Sequence, residues 1–479
     1  MRSEWSCLLT DGGPKLTPLT PSGRQKKGRC HMTSSCNIAM YSPENVGLGH
    51  LRRNILIGRQ LMEEAGDANV LLFANSPVAP FFKLPDRMDH VKLPSVRKIS
   101  AGNWEPARLR MDKQRLKTLR ADLLRSVLLN YRPDLLLVDH MPAGVQGELL
   151  PALKALKEAH PDCSVVLGLR DILDAPEVTS QAWESEGAYE ALRHYYDRVL
   201  IYGSKEMFNT CCTYQLPVPP GGLHYCGYLV SQVPVKPAHE VRQSIGLPFE
   251  RFVFVSAGGG SDGQLLMRTY LQAVRLLGNR ANFATLMAVG ANAPLETHLE
   301  LEAEAQGLPV RIVPHVEDGP SYIGAADLVV CMAGYNTLSE VLYLKKKALV
   351  VPRSGPSAEQ RMRAGLLAKK RLIDVLDPTG LSPEKLAHRL VEDLERDDYP
   401  VQNGALPMDG IKRAADRLLE LVREEAYAPS PEQKPTIGYV VSTPPRLSQT
   451  FVSNEILAPE RSGPKRLSNL RVIRRIAGD

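Results

Sequence analysis

The stretch RFVFVSAGGGSDG at residues 251–263 decides how this chain folds. It begins with a short, nearly continuous apolar run at 251–256, which is typical of a strand buried on both faces of a parallel sheet. Gly258-Gly259-Gly260 and the polar residues after them predict a turn, and apolar residues at helical spacing continue from about 264 to 277. A strand that a glycine turn joins to a helix predicts a doubly wound α/β domain.

The same strand-and-helix pattern occurs along the chain on both sides of this stretch. Further strands are predicted at 284–289, 310–313, 327–331 and 348–352, and before it at 37–41, 70–74, 134–140, 164–168 and 198–203. The pattern restarts after Pro234-Val235-Lys236-Pro237, a predicted hinge, so we expect two doubly wound α/β domains in tandem. Their predicted ranges are a disordered leader at 1–31, a first domain at 32–233, a second at 234–430 that a helix near 410–425 closes, and a mostly disordered tail at 431–479.

The composition is that of a globular protein and excludes several classes. Hydrophobic residues make up 43% and charged residues 23% of the 479 positions. The 6% aromatic content argues against a surface that stacks nucleic-acid bases. No apolar run reaches the length of about 18 residues that spans a membrane. The eight cysteines include no C-x-x-C pair, which argues against a zinc site and a disulfide framework and favours a reducing cytosol.

The net charge of +6 comes from the two ends of the chain. Residues 1–30 and 431–479 each carry an excess of four basic side chains, so the 400 residues between them are slightly acidic. Overall charge therefore does not predict an acidic partner for the folded domains.

Two segments at predicted strand ends are suited to anion binding. In Gly258-Gly259-Gly260-Ser261, backbone N–H groups can approach a diphosphate, and the following helix N-terminus adds positive potential. A plain turn with Asp262 as the helix cap is the alternative. The second segment, Gly334-Tyr335-Asn336-Thr337-Leu338-Ser339-Glu340, also lies between a strand and a helix. Its amides could hold phosphate oxygens, whereas Glu340 could bind a ribose or be a solvated carboxylate at a helix start.

These motifs, followed in order by Val351-Pro352 and Gln360, resemble the carboxyl half of the family 28 glycosyltransferases of the GT-B fold, whose best-known members are the MurG-type N-acetylglucosamine transferases. The resemblance covers about residues 37–425. It implies a GT-B fold of two Rossmann-like domains facing across a cleft, a UDP-sugar donor, inverting transfer, and no metal or other cofactor. It also implies donor-site roles: Gly258, Gly259, Gly260, Ser261, Gly334, Tyr335, Asn336 and Thr337 would face the diphosphate, Glu340 the ribose, His315 the base, and Gln360 the donor sugar.

The first half departs from this family's pattern. The family's first loop reads Gly-Gly-x-Gly-Gly-His, whereas this chain has Val46-Gly47-Leu48-Gly49-His50. The departure leaves the acceptor open among glycans, lipid-linked molecules and small molecules. His50 is the predicted general base, since its ordinary pKa lies near neutrality. A capping or acceptor-binding role without proton transfer is the alternative for His50.

Other polar residues are predicted on the acceptor side with His50. Asp139 and His140, at the end of another predicted strand, are rival bases. Gly49 belongs to the first loop. Arg52 and Arg53 could bind a phosphate or carboxylate of the acceptor or form a solvated helix face.

Two further segments bear on membrane contact and on the origin of the C-terminal tail. Residues 106–130 predict a basic amphipathic helix with a stripe at Leu109, Leu116, Leu119, Leu123 and Val127. Packing on the first sheet is favoured over contact with anionic lipid. We expect a cytoplasmic protein, with peripheral contact at the inner face of the membrane as the further expectation and no nucleic-acid partner. Residues 437–457 resemble the start of a family 4 glycosyltransferase, which predicts a truncated second enzyme.

Two other functions fit the same residues. A UDP-N-acetylglucosamine 2-epimerase would share the fold and the donor chemistry but need no acceptor. A non-catalytic nucleotide-sugar-binding subunit would need a partner chain that supplies the acceptor contacts.

Overall fold

The computed structural model describes residues 35–43, 49–77, 79–100, 103–246, 249–260, 262–355, 357–400 and 406–427. The predicted leader and tail, Gly47, Leu48 and Ser261 lie outside the described residues. The strands are β1 Asn37–Ser42, β2 Asn69–Ala74, β3 Met88–Lys92, β4 Val96–Ser100, β5 Asn103–Pro106, β6 Leu135–Asp139, β7 Ser164–Arg170, β8 Arg198–Tyr202, β9 Leu223–Tyr225, β10 Phe252–Ser256, β11 Ala284–Ala288, β12 Val310–Val313, β13 Leu328–Cys331, β14 Ala348–Val350 and β15 Asp374–Val375. The α-helices are α1 Gly49–Ala65, α2 Lys113–Tyr131, α3 Leu150–Ala159, α4 Pro176–Glu186, α5 Ala188–Tyr195, α6 Thr210–Thr213, α7 Ala238–Ile245, α8 Gln264–Leu277, α9 Leu295–Glu304, α10 Gly319–Ala325, α11 Tyr335–Tyr343, α12 Glu359–Lys369, α13 Pro383–Glu395 and α14 Gly410–Tyr427.

The first domain contains a seven-stranded parallel sheet in the order β3-β2-β1-β6-β7-β8-β9. Its central strands are apolar throughout, and every residue of β6 and β8 is buried. The strand order reverses between β1 and β6, so the connections that leave these two strands diverge. A crevice therefore opens at their carboxyl ends, where α1 begins and Asp139 ends β6.

The second domain repeats this arrangement with six parallel strands in the order β12-β11-β10-β13-β14-β15. The order reverses between β10 and β13. The glycine turn follows β10 and the segment from Gly334 follows β13, so both predicted anion-binding segments lie at the switch point of this sheet. The prediction of two doubly wound domains is confirmed.

Helix α14 packs on the first domain, and the prediction that it closes the second is wrong. Its buried residues Ala414, Ala415, Leu418 and Leu419 share a core cluster with residues of α1 and of the first sheet. From the first domain, Arg198 Nη1 lies 3.2 Å from the Glu420 carboxylate. An apolar stripe predicts that a helix covers a sheet but does not identify which sheet, because that depends on the path of the returning chain.

Helix α2 begins at Lys113, later than the predicted 106, because residues 103–106 form a hairpin strand with β4. The residues it buries include Leu116, Arg120, Leu124 and Leu128, whereas Leu109 is 47% and Leu119 38% exposed. The sequence pattern misplaced this stripe because the charged Arg120 is buried through an ion pair with Glu148. The helix packs against α3 and the core of the first domain, as the favoured interpretation required. In the described part of the chain, no helix combines the length and the apolarity that crossing a membrane demands.

Candidate functional site

His50 and Asp139 meet at the switch point of the first sheet. His50 is the second residue of α1, and its Nδ1 atom lies 2.9 Å from Asp139 Oδ2. An ionised carboxylate can only accept hydrogen bonds, so the pair with Asp139 places the ring proton on Nδ1 and the lone pair on Nε2, whereas Arg53 Nη2, a donor 2.8 Å from the same Nδ1 atom, favours the opposite tautomer. The tautomer that Asp139 favours is the one that a general base acting through Nε2 requires.

Asp139 is fully buried and holds its charge through several donors. Arg53 Nη2 lies 2.6 Å from Oδ1 and 2.8 Å from Oδ2, and Asn54 Nδ2 donates to Oδ2 at 3.1 Å. Burial by itself would raise the pKa of Asp139, but the charge of Arg53, together with hydrogen bonds from His50 and Arg53, holds that pKa far below its usual range. Asp139 therefore stays ionised near neutral pH, and its lowered pKa makes it a weak proton acceptor.

His50 is held in its neutral form. Its pKa is lowered from the ordinary value, chiefly because burial disfavours the charged ring, with a further lowering by Arg53 that the Asp139 charge opposes. Arg53 Nη2 also lies 2.8 Å from His50 Nδ1, which brings this positive charge to the ring edge. A neutral imidazole near pH 7 can accept a proton, which is the chemistry that the sequence predicted for His50.

His140 lies next to this pair but in a less suitable state. Its ring centroid is 5.2 Å from that of His50, and its backbone φ is +69°. Burial first, and then the positive charge of Arg170, hold the pKa of His140 well below its ordinary value. His140 is therefore a neutral neighbour of the pair and a weaker base than His50.

The two arginines of the predicted acceptor side are engaged with carboxylates. Arg53 is 2% exposed and is paired with Asp139. Arg52 Nη2 lies 2.8 Å from Glu340 Oε1 across the cleft. Arg53 is therefore not part of a solvated helix face, whereas Arg52 is 38% exposed, and both guanidinium groups are paired with carboxylates in this arrangement.

The first loop and the predicted anion-binding segment 334–340 touch across the cleft. Asn336 Nδ2 donates to the carbonyl oxygen of Gly49 at 3.3 Å. Glu340 is only 7% exposed, and its pKa is raised, first by burial and against the lowering effect of Arg52. The structure thus brings Gly49, Arg52, Asn336 and Glu340 together at one place.

The glycine turn after β10 needs its glycines. Gly258 and Gly260 have φ angles of +66° and +85°, which L-residues with side chains rarely adopt. A Cβ atom on Gly260 would lie 2.4 Å from the carbonyl oxygen of Val289. Asp262 forms an ion pair with Arg353, and the residue that precedes α8 is Gly263, which makes no side-chain cap. The alternative in which Asp262 caps the helix is therefore wrong.

Helix α11 starts within the segment 334–340, and the side chains of its first turn differ in burial. Asn336 and Thr337 are half-buried, but Tyr335 is 4% exposed. The Tyr335 hydroxyl accepts the Leu229 N–H at 3.1 Å, and its ring lies under Arg53 and Arg363. Its side chain therefore packs between the domains, and the predicted donor contact of Tyr335 is limited to its backbone amide.

The remaining predicted donor residues lie on loops and helix starts of the second domain. His315 is exposed on the loop between β12 and α10. Gln360 begins α12 with Glu359, and its Oε1 atom accepts the Arg353 N–H at 2.9 Å. The structure does not bring His315 and Gln360 into direct contact with the His50 pair.

Sequence reasoning missed a second group of charges at the cleft. Arg170, the last residue of β7, donates through Nη1 to Glu359 Oε1 at 2.6 Å. Arg363 lies 2.8 Å from the same oxygen and 3.5 Å from Asp171. The available signal was the change from apolar to charged residues at Arg170-Asp171, at the end of a predicted strand.

Comparisons with known proteins show similarity in the second domain and in the fold. Residues 252–418 match the model of the glycosyltransferase family 28 C-terminal domain. Two relatives are named UDP-N-acetylglucosamine--N-acetylmuramyl-(pentapeptide) pyrophosphoryl-undecaprenol N-acetylglucosamine transferase. The one from Sinorhizobium medicae is 29% identical over 180 residues, which is 37% of this chain and 47% of the relative. The one from Rhizobium meliloti is 28% identical over 200 residues, which is 40% of this chain and 52% of the relative. The chain thus spans about half the length of these curated relatives.

Solved structures match most of the chain at low sequence identity. Acinetobacter baumannii MurG has a TM-score of 0.51 and 14% identity, and the match covers 81% of this chain and 99% of that one. A Polygonum tinctorium UDP-glucosyltransferase has a TM-score of 0.52 and 14% identity, and the match covers 82% of this chain and 95% of that one. At such identities the likeness shows the fold. The chain therefore has the GT-B fold, and its residues 252–418 are similar to the C-terminal domain of glycosyltransferase family 28.

Proposed function

We propose that this chain is a glycosyltransferase that moves a sugar, N-acetylglucosamine or another hexose, from a UDP-sugar to a hydroxyl group of an acceptor. The observation that carries the proposal is the pair of the half-buried His50 and the buried Asp139, which lies at the switch point of the first sheet. Residues of its loop touch the 334–340 segment of the family 28 domain. A base on one domain next to an anion-binding segment on the other is what transfer between two substrates needs.

In the proposed reaction, His50 Nε2 removes the proton of the acceptor hydroxyl as its oxygen attacks the anomeric carbon. The bond from that carbon to the diphosphate oxygen breaks, and UDP leaves. Direct attack from the face opposite the leaving group inverts the anomeric configuration. Asp139 stabilises the imidazolium that forms, because its charge lies 2.9 Å from Nδ1.

The donor would be held by the second domain. Backbone N–H groups of the Gly258–Gly260 turn and of the first turn of α11 would bind the diphosphate and take up its growing negative charge. Glu340 would accept hydrogen bonds from the ribose hydroxyls, and Gln360 would contact the sugar. The reaction is proposed to proceed without a metal, since these amides would supply the stabilisation of the leaving group.

Occupation of this donor site requires one rearrangement. Glu340 is now paired with Arg52, so ribose binding would displace the Arg52 guanidinium. Arg52 is 38% exposed but the Glu340 carboxylate only 9%, so this ion pair is partly buried, and the ribose hydroxyls would have to replace the guanidinium as donors to the buried carboxylate.

The acceptor proposal rests on the names of the relatives. Those proteins are named for an acceptor linked through pyrophosphate to undecaprenol. We propose a lipid-linked or other glycan acceptor, and a cytoplasmic location with peripheral contact at the inner face of the membrane. The basic outer face of α2 supports such a contact, since Arg115 and Arg125 are exposed there.

The donor half of the proposal is tested by thermal shift with a panel of UDP-sugars, since a ligand that binds only the native state raises stability. Glu340→Gln should weaken UDP binding by about ten- to a hundredfold, because hydrogen bonds to a charged acceptor contribute about 1.5–3 kcal/mol. Glu300→Gln, an exposed carboxylate of the same domain, is the matched control and should bind UDP as the wild type does. No stabilisation by any UDP-sugar would contradict the proposal.

The transfer half is tested by mass spectrometry of products formed with the best donor and a cell extract. A sugar-bearing product whose formation His50→Ala reduces supports the transferase. An epimerised UDP-sugar formed without any acceptor would favour the epimerase. Nucleotide binding with transfer only after a second chain is added would favour the binding subunit.

A further inference from the structure

A cavity in the first domain has no role in the proposed transfer. It lies between the β4–β5 hairpin, the start of α2 and the segment 144–148, and it is open to solvent, with enclosed room for about one water-sized group such as a single oxygen atom. Its lining residues include Trp104, Lys113, Lys117, Arg120, Gln146 and Glu148.

The indole of Trp104 carries a buried donor that needs an acceptor. Trp104 is 6% exposed, and its ring packs in a small core cluster with Val96, Leu116 and Val145. Among the described residues, no atom accepts a hydrogen bond from Trp104 Nε1. An unsatisfied buried donor is costly, and in native proteins such a group commonly meets a water, an ion or a ligand. The ring is thus fixed by packing, while its N–H lacks an oxygen partner.

The charge around the cavity is positive in excess. Arg120 is 1% exposed, and it binds both oxygens of Glu148 at 2.6 Å, so this carboxylate is already neutralised. Lys113 and Lys117 also line the cavity, and within the described part of the chain neither forms an ion pair. Glu105, the other carboxylate of the lining, lies 3.3 Å from Arg97. Two lysine charges therefore remain to meet an anion.

The segment 144–148, which also lines the cavity, has unusual backbone angles. Gly144, Gln146 and Gly147 all have positive φ, and for Gln146 this conformation costs about 1–2 kcal/mol. Lys117 Nζ lies 3.8 Å from the position that a Cβ atom on Gly147 would occupy, so the amine sits close to this backbone. The conformation keeps Gln146 in the lining beside the lysines.

We propose that this cavity binds an oxyanion, a phosphate or a carboxylate, whose oxygen accepts the Trp104 N–H and whose charge Lys113 and Lys117 neutralise. The segment 144–148 follows β6, and the hairpin follows β3, so the cavity opens at the same edge of the sheet as His50 and Asp139. The bound oxyanion therefore has two possible sources, an anionic group of the acceptor and a free anion from solution.

The test observes Trp104 directly in the full-length protein. The chain has three tryptophans, so a ¹⁵N-tryptophan-labelled sample gives three indole cross-peaks, and Trp104→Phe identifies the one from Trp104. Inorganic phosphate and acetate are titrated in, with sodium chloride at equal ionic strength as the reference. We expect the Trp104 peak to move saturably with phosphate or acetate and not with chloride.

Paired charge variants test the lysines. Lys113→Met/Lys117→Met should weaken phosphate binding by about tenfold or more, because hydrogen bonds to charged groups contribute about 1.5–3 kcal/mol. Arg115→Met removes an exposed charge of the same helix and should leave the titration unchanged. A Trp104 peak that does not move, that moves equally with chloride, or that responds in the double variant as in the wild type would overturn the proposal.

Inhibition kinetics assign the source of the anion. Phosphate that competes with the acceptor and not with the UDP-sugar assigns the site to an acceptor group. Phosphate that shifts the Trp104 peak but leaves transfer unchanged assigns it to a free anion. The titration needs no turnover, so a chain without transferase activity would refute the proposed function and leave the test of this cavity intact.

Discussion

Replacing Asp139 by asparagine tests the central element of the site, the orientation and charge of His50. The carboxylate is 0% exposed and lies within hydrogen-bond distance of His50, Arg53 and Asn54. An asparagine keeps the shape but has a single acceptor oxygen, and its NH₂ group can only donate. His50 Nδ1–H then loses its anionic partner, and Arg53 becomes a buried charge without a counter-ion.

The magnitudes follow from these contacts. General base catalysis contributes about 10²- to 10⁴-fold, so kcat of Asp139→Asn should fall within that range. UDP should bind with nearly unchanged affinity, because the proposed donor residues belong to the second domain. Breaking a buried ion pair costs about 3–5 kcal/mol, so the free energy of unfolding should fall by a similar amount.

The pH profile separates a catalytic role of Asp139 from a structural one. The pKa of His50 is already below its ordinary value, so the acid limb of kcat/KM in the wild type should have its midpoint below pH 6.5. The Asp139 charge raises this pKa, and its removal should therefore move the midpoint of the residual activity to still lower pH.

A second variant keeps the test independent of folding. Arg53→Met/Asp139→Asn removes the unpaired buried charge, so it should recover much of the lost free energy of unfolding, as measured in urea. It should not recover kcat, because His50 still lacks its carboxylate. Wild-type turnover in either folded variant, or turnover that returns together with stability, would refute the reasoning.

Three further predictions concern other parts of the chain. Gly258→Ala should lower the free energy of unfolding, measured in urea, by roughly 1–2 kcal/mol, and Gly260→Ala should lower it by more. Both positions have positive φ, but only at Gly260 would the new Cβ atom lie 2.4 Å from a carbonyl oxygen, so equal losses would contradict this. Burial raises the pKa of Asp393 to about 7, so the stability that this group contributes is complete below pH 4 and is lost as the pH rises through 7. In urea unfolding, Asp393→Asn should reduce the fall of the unfolding free energy between pH 4 and 7, and an unchanged pH dependence would contradict this assignment. Arg52→Met should strengthen UDP binding by up to about fivefold in calorimetry, since the Glu340 carboxylate no longer has to leave its ion pair with Arg52, whereas weaker binding would place Arg52 in the donor site.

Much of the fold could be predicted because its signals are local. Continuous apolar runs such as Phe252–Ser256 mark strands that are buried on both faces, and glycine turns mark the changes from strand to helix. The order of these runs is enough to predict two doubly wound domains. It also places His50, Asp139 and the segments at 258 and 334 at strand ends, where ligands of such sheets bind.

The assignment of helices to layers could not be predicted in the same way. The stripe of α14 is apolar whichever sheet it covers, and only the returning chain path brings it to α1. The stripe of α2 was misplaced because Arg120 looks like a surface residue until Glu148 is found beside it. Both errors come from contacts between residues that are distant in the chain.

The sequence by itself determined the two-domain α/β architecture, the position of the glycine turns and the residue types available at the strand ends, because each depends on neighbours along the chain. Only the tertiary structure decided what those residues do. It joined His50 to Asp139, buried Arg53 against the same carboxylate, and turned the Tyr335 ring into the space between the domains. The physical reason is that burial and partner charges, which set protonation state and orientation, come from residues brought together across the two sheets.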